Sequence, residues 1–368
     1  MGYKVKCTII WLFIAVIISY LRSPAFKCWI DSGNSVIESQ CKTKNVVGRE
    51  CHVVCSALNM DCYLYHASKD LVRVVEADDG KLVIKHKDIP LLTKEYVQSL
   101  LPVTGESPDA FKDLLRGVVA LELNGKDYQD VLSLLWPWQN SSSIVTEQNR
   151  SLLEQILRFA HNDEYKLMQL HRDLELFPNI IGTCGDIYVV QHVTLLLDRP
   201  LLDLLPAFTD TCHVARSAQR ILHYLVHMSS VLPLHLCDLQ WGHFGADADG
   251  RLRFVDLDAA FTAEKMAATQ RETRCATDED CDFFDCRGTC DMSEGRCQAE
   301  VSDNISNLCR QLVWARAPLL GAERRLGLLA AVLSEQQAQL LERCARSRSA
   351  QLAHQVADLL AELERRLC

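Results

Sequence analysis

A chain of 368 residues with 48% hydrophobic content carries enough apolar surface for about two domains or one two-lobed domain, which excludes a chain disordered throughout. Its formal net charge of -9, with no basic stripe along any segment, argues against a nucleic-acid partner. Seventeen cysteines, most of them in two clusters of short spacing, are too many for a reduced cytosolic protein and point to disulfides in an oxidising compartment.

Lys4 and Lys6 precede an apolar run from Cys7 to Leu21, short for a spanning helix and long for a core strand. With no small-x-small cleavage signal after it, residues 1–22 read as a cytosolic tip and a type II signal anchor, a cleaved signal peptide being the alternative. Residues 23–62 hold Cys28, Cys41, Cys51, Cys55 and Cys62 among polar residues. Disulfides are expected there, and zinc on Cys51 and Cys55 with His52 is the competing reading.

Strands are expected over Tyr63–Tyr65, Leu71–Glu76 and Lys81–Lys87, with Asp78-Asp79-Gly80 as a hairpin turn. The last of them carries Val83-Ile84-Lys85, and Lys85 is a candidate phosphate-binding cation. Gly80 is the only glycine between 63 and 81, so the glycines that let backbone amides approach phosphates closely are missing. From Leu91 to Arg150 the pattern is helical with long polar breaks. Asn140 and Asn149 there, and Asn304 later, open glycosylation sequons, which belong on accessible loops if the domain is lumenal.

Ser151–Leu170 reads as one helix with Leu157, Ala160, Met168 and His171 along a single face. Glu164 falls on the same apolar stripe, where a carboxylate needs a cation. Lys85 is the candidate partner, and the 79 residues between them then have to include an insertion. Ile180–Val193 reads as two strands about a turn at Gly185-Asp186, and Cys212–Leu232 as a helix. His223 and His227 lie four apart on that helix, but without a third ligand they read as packing or surface residues. Cys184 and Cys237, in apolar surroundings, are candidates for buried thiols.

Leu234–Asp258 reads as a strand-turn-strand hairpin about Asp249-Gly250, with Asp238 at one end and Asp256 at the other, eighteen residues on. Asp256 and Asp258, two apart on an expected strand, would share a face and chelate a metal together. Cys275, Cys281, Cys286, Cys290, Cys297 and Cys309 follow in an acidic, disulfide-rich insertion without a calcium-loop pattern. An amphipathic helical tail from Gly321 to Cys368 is expected to pack on the preceding lobe.

The anchor-like run, the early cysteine cluster, the strand with Val83-Ile84-Lys85, GTCGDIYVV, LHLCD, FVDLD and the segment CATDEDCDFFDCRGTC together resemble the divergent protein kinase domain 1 family. Its members are cysteine-rich, kinase-like, type II proteins of the endoplasmic reticulum membrane. The resemblance implies an α+β, protein-kinase-like two-lobed fold with disulfide-rich insertions. A small antiparallel-sheet N-lobe would occupy 63–193, and a mainly helical C-lobe 194–368, including the cysteine-rich 275–309. By matching motif it implies that Lys85 and Glu164 position nucleotide phosphates, that Asp238 is the catalytic base, and that Asp256, with Asp258, holds a metal. ATP with Mg2+ or Mn2+ is the cofactor such a site would take.

The departures bear on activity. Cys237-Asp238 stands where His-Arg-Asp is usual, and Asp256-Leu257-Asp258 where Asp-Phe-Gly is usual. His243 replaces the metal-binding Asn, and magnesium prefers oxygen ligands. The sequence therefore leads to the expectation of a pseudokinase, an interaction or scaffolding module for lumenal or secretory proteins or glycans. An active metal-dependent phosphotransferase is the alternative.

Overall fold

The computed structural model describes residues 33–42, 48–56, 63–64, 71–77, 80–87, 89, 96, 99, 108–123, 131–139, 150–196, 210–313, 315–317, 322–324, 329–347 and 352–368. The apolar run 7–21 and the sequons at Asn140 and Asn149 lie outside them. Among the described residues no helix is long and apolar enough to cross a membrane. The chain divides into two compact units: 1–118 with 130–170 and 178–192, and 119–129 with 171–177 and 193–368.

The first unit is built on a five-stranded antiparallel sheet. Its strands are β1 (Tyr63–Leu64), β2 (Leu71–Ala77), β3 (Gly80–His86), β4 (Ile180–Cys184) and β5 (Ile187–Gln191), in the spatial order β1-β2-β3-β5-β4. Gly80 at φ 121° closes the β2–β3 hairpin, and Gly185 at φ 58° closes β4–β5, conformations that glycine adopts without a steric cost. Helices α1 (Gly33–Lys42) and α2 (Cys51–Ser56) share the sheet's core, where Ile37 and Val54 meet Leu71, Val75, Ile84 and Val189. The Glu50 N–H donates to the Thr183 carbonyl at 3.1 Å. Gly48 lies so close to the Thr183 backbone that any Cβ there would collide with it.

Disulfides Cys41–Cys55 and Cys51–Cys184 tie this segment together and to β4. They overturn two expectations. Zinc has no thiolates left at Cys51 and Cys55, and Cys184 is no buried thiol. The single helix expected over 151–170 is two, α5 (Arg150–His161) and α6 (Asp163–Leu170). Asn162 separates them because its side chain accepts from the Tyr165 N–H at 3.0 Å, an N-cap that begins a new helix. Helices α3 (Pro108–Val119) and α4 (Val131–Leu135) lie in the preceding helical stretch.

The second unit is mainly helical. Asp210 caps α7 (Thr211–Val231) through the His213 N–H at 3.1 Å. Other short strands are β6 (Thr194–Leu195), β7 (Leu234–Leu236), β8 (Phe244–Ala246), β9 (Leu252–Phe254) and β10 (Ala260–Thr262). Helix α8 (Ala263–Glu272) begins at a Thr262 cap, and the insertion after it holds β11 (Cys290–Asp291) and β12 (Arg296–Cys297). Helix α9 (Asn304–Val313) follows, and the strand pair β13 (Ala315–Ala317) and β14 (Ala322–Arg324) precedes α10 (Glu335–Arg346) and α11 (Ala353–Leu367). The tail packs where an amphipathic helix is expected to: α11 lies on α7 and α10 on α9, closed by Cys212–Cys368 and Cys309–Cys344. His223 and His227 are exposed on α7.

The expected hairpin over 234–258 is rearranged. The true hairpin is β8–β9 about Gly250 at φ 77°, whereas β7 turns away and pairs with β10. A 3-10 turn at Trp241–His243 reverses the chain between β7 and β8. Within the hairpin, Arg253 on β9 and Asp247 in the turn form an ion pair at 2.7 Å with both side chains almost fully buried. Burial works against the Asp247 charge, but hydrogen bonds from Arg253 and Arg251 outweigh it and hold the carboxyl below the usual carboxylate range.

Candidate functional site

Two groups of side chains match the chemistry that the sequence singles out. The first lies in the first unit. Register places Lys85 on β3 directly opposite Tyr188 on β5, so the two side chains share one face of the sheet. Glu164 stands in the first turn of α6, where the helix dipole favours a carboxylate. Lys85 and Glu164 are 8% and 6% exposed and form a direct ion pair. The Tyr188 hydroxyl donates to the second Glu164 oxygen at 3.0 Å. Around them Phe159 stacks on Tyr165 at 4.2 Å, and Tyr188 meets Tyr165 edge-on at 5.5 Å. An ion pair in such surroundings is held in one geometry, because either charge alone would be costly to bury.

The second group lies in the second unit, around Asp238. The backbone on both sides of this residue is fixed by the cysteine-rich insertion. Cys237 is disulfide-bonded to Cys286, the Asp285 N–H donates to the Cys237 carbonyl at 2.7 Å, and the Asp285 carboxylate accepts from the Leu239 N–H at 3.1 Å. Cys237 is thus no free thiol. It stands where a kinase carries arginine and makes a covalent bond instead. The remaining insertion disulfides, Cys275–Cys290 and Cys281–Cys297, are internal.

After Asp238 the chain enters the 3-10 turn that carries His243. The ring nitrogen Nδ1 of His243 lies 3.0 Å from the Asp238 carbonyl oxygen. Nε2 of the same ring lies 3.4 Å from Oδ2 of Asp256, which follows β9. Donor atoms of Asp238, His243 and Asp256 all fall within 4.8 Å of one another. His243 is 7% exposed, and the Asp256 side chain is about one-third exposed, at 35%. These three side chains suit a divalent cation by donor type: two carboxylates and one imidazole.

Asp258 is not one of that group. Strand β9 ends at Phe254, so Asp256-Leu257-Asp258 is a turn in which the Asp258 N–H donates to Oδ1 of Asp256 at 3.2 Å. The argument for a shared strand face at Asp256 and Asp258 therefore does not hold. A second correction concerns Asn304. Its carboxamide accepts from the Leu236 N–H at 2.7 Å and donates to the Leu234 carbonyl at 2.6 Å, and it is 4% exposed. It holds β7 just ahead of Asp238 and is not an accessible glycan acceptor.

A model described as the protein-kinase domain of FAM69 matches residues 156–347. The chain belongs to that family. The match spans Glu164, Asp238, His243 and Asp256 and begins beyond Lys85. Family membership and the antiparallel sheet with its helical companion unit establish a kinase-like α+β fold. Seven disulfides among the described residues mark a domain of an oxidising, lumenal or secreted environment.

Two contributors, Tyr188 and Asp285, were not singled out by sequence reasoning, and Asn304 was named only as a sequon. Tyr188 depends on strand register, and Asp285 and Asn304 on contacts with distant backbone. His243 was singled out only as a missing asparagine. Its spacing from Asp238 carried the signal, read there as a loss and not as a change of ligand.

Proposed function

We propose that this chain is a kinase-fold protein of the secretory-pathway lumen that binds ATP with a divalent cation and transfers the terminal phosphoryl group to hydroxyls of secretory proteins or glycans. The observation that carries the reading is the buried Lys85–Glu164 pair with Tyr188 behind it. In protein kinases that lysine positions the α- and β-phosphates, and the pair must be in place for activity. Apolar groups of similar volume in place of a buried ion pair are often neutral or stabilising, so fold stability alone does not require this pair.

In this reading Asp238 takes the proton of the attacking hydroxyl as the new oxygen–phosphorus bond forms and ADP leaves. Asp256 and His243 hold the cation, and Asp258 stays near it through the turn. The cation's contribution is to neutralise charge on the phosphates. The anchor-like run 7–21 supports a single-pass type II position in the endoplasmic reticulum membrane. Within the family, we read the segment CATDEDCDFFDCRGTC as resembling the C member.

A second reading, a pseudokinase that serves as an interaction or scaffolding module, is favoured by one observation. The segment joining β1 to β2, residues 65–70, contains no glycine, so backbone amides lack the usual freedom to cradle phosphates. Thermal unfolding of the full-length chain with ATP and Mg2+ or Mn2+ separates the two. Stabilisation that needs both nucleotide and metal, and is lost in Lys85→Ala and Asp256→Ala, is the expected result. No shift at millimolar ATP would sink the phosphotransferase and leave the module.

A further inference from the structure

The residue that departs most from kinase chemistry sits in the middle of the acid site. A carbonyl oxygen only accepts, so the 3.0 Å contact to Asp238 requires the proton of a neutral His243 ring to be on Nδ1. The lone pair is then on Nε2. That atom faces Oδ2 of Asp256 at 3.4 Å, with a carboxylate oxygen of Asp238 completing a set within 4.8 Å. Nε2 and the two carboxylate oxygens form a set of one nitrogen and two oxygen donors that a single divalent cation can bridge. Their separation is that of neighbouring ligands bonded at roughly 2.0–2.2 Å to a single ion. The carbonyl on the far side of the ring is the arrangement that orients metal-bound histidines and raises their basicity. Packing keeps the ring there: Phe254 meets it edge-on at 6.0 Å, and the Val255 N–H donates to the His243 carbonyl at 2.8 Å.

We infer that His243 is a metal ligand, and that with Asp238 and Asp256 it gives this site a preference for borderline transition ions such as Mn2+ or Zn2+ over Mg2+. The chemistry follows from the donor set. Magnesium takes hard oxygen ligands and gains little from imidazole. Manganese sits at the weak end of the divalent transition series and zinc near its strong end, and both accept imidazole beside carboxylates. The asparagine expected from the kinase pattern would supply an oxygen at this place. The histidine supplies nitrogen. The inference deepens the phosphotransferase reading, since it concerns the same site, but its test does not depend on turnover.

The experiment is pulsed electron paramagnetic resonance on Mn2+ bound to the full-length chain, produced in a secretory host so that its disulfides form. Competition by MgCl2 and ZnCl2 accompanies it. Imidazole-nitrogen modulation of the Mn2+ signal is expected, with Mn2+ displaced by Zn2+ at far lower concentration than by Mg2+. His243→Asn should abolish the modulation and narrow the Mn2+-over-Mg2+ preference by about tenfold or more. Bound Mn2+ without nitrogen coupling, or an unchanged preference in His243→Asn, would overturn the inference. An imidazolium paired with Asp256 would give that result. If His243→Asn does not fold, the nitrogen coupling of the unaltered chain decides by itself. ATP with Mg2+ stabilising the protein without nitrogen coupling would leave the phosphotransferase standing and this inference refuted. Nitrogen coupling without any response to ATP would do the reverse.

Discussion

The Lys85 and Asp238 neighbourhoods reach order by different routes. Lys85, Glu164 and Tyr188 come from a strand, a helix start and a second strand, and are held by burial, mutual charge and aromatic packing. Asp238, His243 and Asp256 come from one short stretch of chain. Their backbone is clamped by a disulfide, by Asp285 and by Asn304. The first arrangement is electrostatically all-or-none, because removing either charge strands the other. The second tolerates solvent at Asp256 and keeps its shape through clamps on the backbone.

The comparison is broken most severely at the buried pair. Glu164→Ala should destabilise the protein by about 3–5 kcal/mol in denaturant unfolding, whereas the double replacement Lys85→Met with Glu164→Leu should cost little or nothing. Equal costs for the two variants would mean that the pair is not an all-or-none unit. Next in size is the covalent clamp. Cys237→Ser with Cys286→Ser should lower stability by about 2–5 kcal/mol. It should also speed amide hydrogen exchange at Leu239, while exchange on β3 is unchanged. Loss of protection on both would contradict separate routes to order.

Asn304→Ala removes two hydrogen bonds to β7 and leaves a buried N–H and carbonyl without partners, a cost of about 1–3 kcal/mol for each group. The same burial makes a second outcome measurable. Glycopeptide mass spectrometry of the protein produced in a secretory host should find Asn304 unmodified, and high occupancy there would refute its position against β7. The smallest effect is in acid. Asp247 has a folded pKa below its unfolded value, so its contribution is fully present above the ordinary carboxylate pKa of about 3.9 and is lost as pH falls through the lower folded value. Acid titration should therefore show the Arg253 environment persisting below pH ~4 and then collapsing. Collapse well above that pH would mean the pair is solvated.

Legibility followed distance along the chain. Asp238 and Asp256 could be picked out because both sit in one 25-residue stretch, Leu234–Asp258. Even there the strand pairing was misjudged, because a three-residue strand such as β7 has too few residues to declare its partner. Glu164 was legible as a charge on an apolar stripe, and Lys85 as the cation that follows Val83-Ile84 on an expected strand. Tyr188 was not, because register is invisible until β3 and β5 are paired. The helix break at Asn162 was missed because the apolar periodicity runs straight across it. Cys184 and Cys237 looked like thiols because apolar neighbours surround them, yet buried disulfides have the same surroundings.

What the sequence determined by itself was composition-level and local: an oxidising environment from cysteine abundance, the hairpin turns at Gly80, Gly185 and Gly250, the amphipathic tail, and the acids with their spacing. These depend on residue types and on contacts within a few positions. Tertiary structure alone decided which cysteines pair, that Asn304 serves β7 and not a glycan, and that His243 turns a nitrogen toward Asp256. Each of those is a choice among many partners of equal local merit, and only the packed chain, by excluding water and fixing distances of a few ångströms, makes one of them cheaper than the rest.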